Sequence, residues 1–311
     1  MNWKGVIPAI TTCFREDLKV DHSFMTRHCG WLLDNGCAGV VALGSLGEGA
    51  TLSFEEKLEI LRTCVDAVHG RGPVVASISA LTTAEAVALA KAAHDLGCDG
   101  LMVLPPYVYK GDWREMKTHV AAVFEATTLP CMLYNNPVAY GTDFLPGQIH
   151  ELASEHGNLT AVKESSTDVR RVSAIRALLG QRLEICVGVD DAVLEAIGVG
   201  VTGWIAGLAN ALPRESADLF QAGTCGENDK AFELYRWFLP LLRMDTVPNF
   251  VQLIKLVQAE VGIGNARVRP PRLELVGDEL AQARKIIAEA LSARSRIRQT
   301  GLPQNLPDRS E

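Results

Sequence analysis

Lys163 ends an apolar run of the sequence, LTAVK, and the polar residues ESS follow it. An ammonium group is costly to bury without a partner. The lysine is therefore the solvated end of a strand, a member of an ion pair with Glu164 or Asp190, or an amine held in a pocket. A pocket would favour the neutral amine, which can attack a carbonyl group to form a Schiff base. Side chains alternate between the two faces of a strand, and this weakens the pairing with Glu164.

Two hydroxyl groups are candidates to work with this amine. Tyr134 ends the run CMLY, and it is either an aromatic residue that keeps its hydroxyl in water or a phenol that shuttles protons. Ser45 lies in the run GSLG, where its hydroxyl and the neighbouring amides could hold a carboxylate; the alternative is a simple turn serine. The run does not match the GxSxG pattern of serine hydrolases, and no histidine stands at an obvious partner position.

Predicted strands and helices, which would position these residues, alternate regularly along the chain. Short β-rich runs alternate with amphipathic helical segments, and the runs are VIPAI (6–10), GVVAL (39–43), VVASI (74–78), LMVLP (101–105), CMLYN (131–135), LTAVK (159–163), EICVG (184–188) and GWIAG (203–207). Continuous apolar strands that alternate with helices predict a parallel sheet covered by helices. Eight such repeats over roughly 220 residues predict a (β/α)8 barrel of the α/β class, with its active site at the carboxyl ends of the strands. Ser45, Tyr134 and Lys163 end or follow predicted strands, so we expect them to meet at one rim.

The sequence divides into three predicted parts. Residues 1–227 form the barrel, residues 228–295 form a C-terminal helical extension packed on it, and residues 296–311 form a frayed tail. Within the barrel, Ser166 or Thr167 is predicted to open the helix that follows the lysine strand.

Composition and charge exclude several classes of function. The chain has 311 residues and a formal net charge of -7, with a pI near 5.6, which argues against a nucleic-acid or membrane partner. The eight cysteines form no CxxC pair and the seven histidines form no HExxH motif. We therefore predict reduced core thiols in a cytoplasmic protein, and no metal site. The N-terminal residues show no signal-peptide pattern.

One segment, residues 196–212, suggests two other interpretations. The uncharged stretch 196–212 is short for a membrane span and contains four glycines, so we predict a buried strand with flanking turns. The glycines at 198, 200 and 203 match the GxGxxG spacing of a dinucleotide site. A predicted helix precedes them and a strand follows, whereas that site needs the reverse order.

The runs GSLGE (44–48), YNNP (134–137), VKESS (162–166) and GVDD (188–191) resemble the dihydrodipicolinate synthase / N-acetylneuraminate lyase family over nearly the whole chain. The resemblance implies a (β/α)8 barrel without metal or organic cofactor, usually assembled as a homotetramer built as a dimer of dimers. It implies that Lys163 is the Schiff-base lysine and Tyr134 the proton-transfer tyrosine. The further positions that it implies for a 2-oxo acid are Ser45, Leu46 and Gly47 at the carboxylate, and Gly188 and Ile205 in the pocket wall.

Three departures from the family pattern narrow the expected function. The synthases carry an arginine for the semialdehyde carboxylate where this chain has Ala139. They also use a tyrosine pair to complete a proton relay across the dimer, and here Tyr107 and Tyr109 are separated by Val108. Leu46 replaces the second hydroxyl of the carboxylate site. Together these departures argue against a dihydrodipicolinate synthase.

The combination of GSLGE, VYKGD, YNNPVAYG, VKESS and RVRPPR is similar to the subgroup of 1-pyrroline-4-hydroxy-2-carboxylate deaminases of hydroxyproline catabolism. That likeness implies conversion of the cyclic imino acid to 2,5-dioxopentanoate with release of ammonia. Lys163 would attack C2, and Tyr134 or a hydroxyl chain through Ser45 would remove a proton from C3. The residues left to recognise the hydroxyl or the ring are Asn135, Asn136, Tyr140 and Ser165.

Two competing hypotheses stay open at this point. A 2-keto-3-deoxy sugar acid aldolase or dehydratase would share every catalytic residue and differ only in the distal part of the pocket. A non-catalytic barrel could bind a small acid as a sensor or scaffold, although the presence of both Lys163 and Tyr134 argues against it.

Overall fold

The structure of the protein is a computed structural model, and it describes residues 1–107 and 109–299. The strands are β1 (Gly5–Val6), β2 (Val40–Ala42), β3 (Val74–Ile78), β4 (Gly100–Val103), β5 (Cys131–Asn135), β6 (Leu159–Glu164), β7 (Glu184–Val187) and β8 (Gly203–Trp204). The helices are α1 (His22–Asp34), α2 (Phe54–Val68), α3 (Thr83–Asp95), α4 (Trp113–Glu125), α5 (Pro137–Tyr140), α6 (Pro146–Glu155), α7 (Arg170–Leu179), α8 (Val193–Gly198), α9 (Pro213–Thr224), α10 (Asn228–Leu242), α11 (Phe250–Glu260) and α12 (Gly277–Gln299).

The strands form one parallel sheet that closes into a barrel. Their order is β1-β8-β7-β6-β5-β4-β3-β2, and a parallel bridge between Ala9 and Val41 joins the two ends. Inward-facing side chains, including Ile7, Met102 and Met132, fill the barrel with a packed apolar core. The predicted (β/α)8 barrel with a C-terminal helical extension is confirmed.

The first and last strands are shorter than the runs that predicted them. β1 covers only Gly5–Val6 and β8 only Gly203–Trp204. The Ile7 amide nevertheless donates to the Trp204 carbonyl at 2.8 Å, and the Ala9 amide donates to the Ala206 carbonyl at 2.9 Å. The segments that follow β1 and β8 therefore stay hydrogen-bonded to each other beyond the regular strands, up to the rim of the barrel.

The helix after β6 begins later than predicted. It starts at Arg170, not at Ser166 or Thr167. Thr167 has a φ of 70°, in the left-handed region, where a β-branched residue is uncommon and a right-handed helix cannot start. The intervening residues instead form a loop at the carboxyl end of β6.

The uncharged segment 196–212 folds as predicted from its glycines. α8 ends at Gly198 and β8 begins at Gly203, so the GxGxxG match lies at a helix-to-strand turn. In the part of the chain that the structure describes, no helix is long and apolar enough to cross a membrane. The eight cysteines are free thiols, and Cys225 alone among them is exposed.

The helical extension consists of α10, α11 and α12. α10 packs against α9 of the barrel and against α12. α12 continues to Gln299, beyond the predicted boundary at 295, and the remainder of the predicted tail, residues 300–311, lies outside the described residues. The segment between α10 and α11 turns over the barrel mouth and contributes to the site described next.

Candidate active site

Lys163 lies at the carboxyl end of β6, in register with Tyr134 on β5 and Cys186 on β7. Its side chain is buried, with 6% of the residue exposed. Its Nζ lies 4.1 Å from the centroid of the Tyr134 ring. Burial lowers the pKa of the Lys163 ammonium, and Asp245 opposes this effect when it is ionised. The fold therefore holds a partly desolvated amine whose neutral form is favoured.

The two carboxylates considered as ion-pair partners of Lys163 have other roles. Asp190 accepts hydrogen bonds from the Trp204 Nε1 at 2.8 Å and from the Leu208 amide at 2.7 Å. Glu164 accepts from the Ser166 amide at 2.7 Å. Asp190 therefore stabilises the turn after β8, and Glu164 stabilises the turn after β6. Since both carboxylates have these other partners, the Lys163 amine can face the cavity.

Tyr134 belongs to a chain of hydroxyl groups beside the amine. Its hydroxyl accepts a hydrogen bond from the Asn136 Nδ2 at 3.1 Å, and its ring packs edge-on against Tyr140, with centroids 5.8 Å apart. The Tyr140 hydroxyl in turn shares a short hydrogen bond with the Ser45 Oγ. Burial raises the pKa of Tyr134 to about 12 and also raises that of Tyr140. Both phenols are therefore protonated at neutral pH and can relay a proton toward Ser45.

The loop after β2 offers backbone amides to an anion. Within the described residues, the amides of Ser45, Leu46 and Gly47 donate to no protein acceptor. Glu48 fixes this loop, because its buried carboxylate contacts the Lys255 Nζ of α11 at 2.6 Å. The extension thereby positions the loop that was predicted to hold a carboxylate.

These residues surround one cavity of about 490 Å³. The predicted site residues that line it are Ser45, Leu46, Tyr134, Asn136, Tyr140, Lys163, Ser165, Gly188 and Ile205. Gly47 lies behind this wall, where its carbonyl accepts from the Thr12 hydroxyl at 2.6 Å. The rim sequence motifs therefore converge as the barrel interpretation predicts.

The predicted relay tyrosines after β4 take different positions. Tyr107 packs its ring against Tyr140, with centroids 5.8 Å apart. Tyr109 is exposed at the surface, and its hydroxyl donates to the Glu115 carboxylate at 3.3 Å. Of the two, Tyr107 alone is in contact with the hydroxyl chain of the cavity.

Sequence reasoning missed several residues that line the cavity. Asp245 and Arg272 come from the helical extension, and Thr167 comes from the loop after β6. The site residues predicted from the sequence lie at strand ends, and the helical extension contains no predicted strand. The run MDTVPN at 244–249 is an acidic residue near a proline between two apolar helices, a pattern that would equally describe an ordinary exposed turn.

The chemistry of the site is that of amines, hydroxyls and amides. No group of three or more histidine, cysteine or acidic side chains within the described residues is arranged to hold a metal ion. The arrangement can form an imine at Lys163, move protons through the Tyr134 and Tyr140 hydroxyls, and bind a carboxylate at the loop amides.

Comparison with known proteins gives consistent matches along most of the chain. Residues 2–290 match the model of the dihydrodipicolinate synthetase family. The chain is 33% identical over 273 residues to the 4-hydroxy-tetrahydrodipicolinate synthase of Methanocaldococcus jannaschii, covering 88% of this chain and 93% of that protein. It is 34% identical over 274 residues to the enzyme of the same name from Desulforudis audaxviator, covering 87% and 91%.

Solved structures show the same similarity. A putative dihydrodipicolinate synthetase from Pseudomonas aeruginosa superposes with a TM-score of 0.88 at 33% identity, covering 93% of this chain and all of that one. A prophage protein of the dihydrodipicolinic acid synthase family from E. coli K12, solved in complex with pyruvate, has a TM-score of 0.88 at 27% identity and covers 94% and 99%.

Proposed function

This chain belongs to the dihydrodipicolinate synthetase family and is a Schiff-base lyase of that family's type, and we propose that its reaction is the deamination of 1-pyrroline-4-hydroxy-2-carboxylate to 2,5-dioxopentanoate. The observation that carries the proposal is the buried amine of Lys163, held 4.1 Å from the centroid of the Tyr134 ring in the cavity at the barrel rim. The narrower choice of substrate rests on the distal residues, where Ala139 replaces an arginine and the polar residues Asn136 and Thr167 line the wall.

The proposed reaction begins at the imine carbon of the substrate. Lys163 adds its amine to C2, the C2–N1 bond breaks, and N1 leaves with a proton as an amine on C5. The lysine iminium then acts as an electron sink and acidifies C3, whose proton passes to the Tyr134 and Tyr140 hydroxyl chain. The substrate carboxylate stays at the amides of Ser45 and Leu46 throughout.

Elimination and hydrolysis complete the sequence. The hydroxyl at C4 leaves as water, and a C3=C4 double bond forms. Protons then leave C5 and its nitrogen and add at C3 and C4, so the double bond moves to C5=N without any oxidant. Water converts this imine to an aldehyde and ammonia. A second water hydrolyses the lysine imine at C2 and frees the product. One water is released and two are consumed, so the net reaction takes up one water and releases one ammonia.

Two alternative reactions would use the same amine of Lys163. Condensation of pyruvate with aspartate semialdehyde, which the family resemblance implies for the synthases, needs a cation for the second carboxylate. Ala139 cannot provide it, although Arg272 lies at the cavity wall. Dehydration or cleavage of a 2-keto-3-deoxy sugar acid needs only polar groups distally. The deaminase fits the uncharged wall near α5 better than the condensation does.

The test is a comparison of substrates with a trapping step. The protein is incubated with the hydroxypyrroline carboxylate, with pyruvate plus aspartate semialdehyde, and with a 2-keto-3-deoxy acid, and ammonia, condensation product and pyruvate are measured. Borohydride reduction followed by peptide mass analysis should place an adduct on Lys163. Ammonia release by the wild type and its loss in Lys163→Ala are expected; an unimpaired Lys163→Ala variant would overturn the mechanism, and condensation alone would overturn the choice of substrate.

The oligomeric state is a separate part of the proposal. We propose a homotetramer built as a dimer of dimers, and light scattering coupled to size-exclusion chromatography measures it directly. A monomer in that measurement would contradict this part and leave the reaction unaffected.

A further inference from the structure

Asp245 brings a carboxylate to the cavity from outside the barrel. It ends the short 3-10 turn Arg243–Asp245 that follows α10, and it lines the cavity that contains Lys163. Its Oδ1 oxygen is shielded from solvent and accepts no hydrogen bond from any residue that the structure describes. Buried polar atoms in native proteins nearly always have a partner. An unpartnered carboxylate oxygen beside a reactive amine therefore points to a partner supplied by the substrate.

Gly207 fixes the position of this carboxylate. A Cβ built on Gly207 would lie 2.0 Å from the Oδ1 and 2.4 Å from the Cγ of Asp245, so only glycine leaves room for it. The Gly207 amide is itself held by the carboxylate of Asp190 at 3.1 Å. The turn after β8 is therefore shaped to seat Asp245 in one place, which is what proton transfer at a defined atom needs.

The charges around Asp245 favour its protonated form. Burial raises the pKa of the Asp245 carboxyl well above its usual value, the negative charges of Asp190 and Asp191 add to this, and Lys163 opposes it. Asp245 in turn raises the pKa of Tyr134. A carboxyl group whose pKa is raised keeps its proton to a higher pH than usual and can serve as a general acid.

We propose that Asp245 is the general acid that protonates the departing C4 hydroxyl of the substrate, an assignment that rests on the proposed function. Lys163 holds C2 and the Tyr134 chain serves C3, so neither group is available to the C4 oxygen. The proton passes from the Asp245 carboxyl to that oxygen, the enamine electron pair forms the C3=C4 bond, and the C4–O pair leaves with the oxygen as water. Asp245 remains as a carboxylate and regains a proton from solvent after the product leaves.

The experiment compares two leaving groups in Asp245→Asn. The 4-fluoro analogue of the hydroxypyrroline carboxylate loses fluoride, which does not need to be protonated to leave. We expect Asp245→Asn to lose about 10²-fold or more in kcat on the hydroxy substrate, the usual scale of general acid catalysis, and less than about tenfold on the fluoro substrate. Borohydride trapping at Lys163 should be retained. Asp229→Asn, the same charge change at an exposed position of α10, is the matched control and should behave as wild type.

A second variant keeps the assignment testable if Asp245→Asn does not fold. The outcomes also distinguish a failure of the Asp245 assignment from a failure of the deaminase proposal. Gly207→Ala displaces the Asp245 carboxylate without removing it and should show the same selective loss on the hydroxy substrate. Equal losses on both substrates, or no loss on either, would overturn the assignment of Asp245 while the deaminase proposal stands. A wild type that releases no ammonia overturns the deaminase; the comparison is then made on the 2-keto-3-deoxy acid, which also loses a C4 hydroxyl, and a wild type inactive on both overturns both proposals.

Discussion

The side chain of Lys163 lies across the bare Cα of Gly188. A Cβ built on Gly188 would lie 2.2 Å from the Lys163 Cε and 2.2 Å from the Ser165 Oγ. Heavy atoms cannot approach so closely, so the lysine conformation that faces the cavity exists only with glycine at this position. Gly188 directly follows β7, the strand next to β6, and thus sets the direction of the Lys163 side chain.

We therefore expect Gly188→Ala to lower the catalytic efficiency strongly without unfolding the protein. Displacement of the amine by about 1 Å should cost about 10²-fold or more in kcat/KM. The matched control is Gly198→Ala at the end of α8, where a Cβ meets no atom within 4 Å. Steady-state kinetics and thermal melting of both variants check this. A Gly188→Ala enzyme with wild-type activity would show that the observed lysine conformation is not the reactive one.

The pH dependence of Schiff-base formation should follow the lowered pKa of Lys163. Burial disfavours the charged form, and the neutral amine, which is the nucleophile, appears as the pH rises through the folded-state pKa. The trapping rate with pyruvate should therefore rise and level off below pH 10.5, the ordinary value of a lysine. Borohydride trapping from about pH 6 to about pH 10 measures this. A rate that still climbs at the alkaline end would contradict a desolvated amine.

The lowered pKa of Lys163 should also make the free energy of unfolding depend on pH. Because the folded-state pKa of Lys163 is lowered, the unfolded chain binds more protons between that pKa and the ordinary one. The free energy of unfolding of the wild type is therefore lowered at pH values below this window, and it increases as the pH rises through the window. Lys163→Met should be inactive yet more stable than the wild type at neutral pH in urea unfolding. A less stable Lys163→Met variant would indicate a structural ion pair instead.

Removal of the Tyr134 hydroxyl should separate imine formation from proton transfer. Tyr134→Phe is expected to lower kcat by about 10²–10⁴-fold while the borohydride adduct at Lys163 still forms. The matched control is Tyr235→Phe, whose hydroxyl contacts the Glu195 carboxylate at 2.9 Å, away from the cavity lining. Unchanged turnover in Tyr134→Phe would transfer the proton-relay role to Tyr140 alone.

The buried ion pair between Glu48 and Lys255 should matter for stability. Both side chains are almost fully buried and lie 2.6 Å apart. Lys255→Met leaves the Glu48 carboxylate buried without its cation and should cost about 3–5 kcal/mol in the free energy of unfolding. Arg284→Ala, which breaks the exposed pair with Glu260, should cost less than about 1 kcal/mol. Similar costs in the two variants would show that Glu48 finds other donors.

The sequence by itself predicted the barrel and most of the residues that line the candidate site. Strands buried on both faces must be continuously apolar, so the eight β-rich runs were visible without any structure. Ser45, Tyr134 and Lys163 lie at or just after the ends of those runs. They share one rim because parallel strands of a barrel place their carboxyl ends on the same side. Local chain direction and periodicity are sufficient for these inferences.

The tertiary structure decided what the linear order could not. Asp245 lies 82 residues beyond Lys163 along the chain, and only the packing of the extension on the barrel brings it to the same cavity. Gly47 and Tyr109 lie away from the cavity, and α7 begins only at Arg170. Both results depend on backbone conformations that the residue pattern does not predict. Contacts between distant segments arise from shape and burial summed over the whole fold, so side-chain direction and desolvation at the site appear only once the chain is folded.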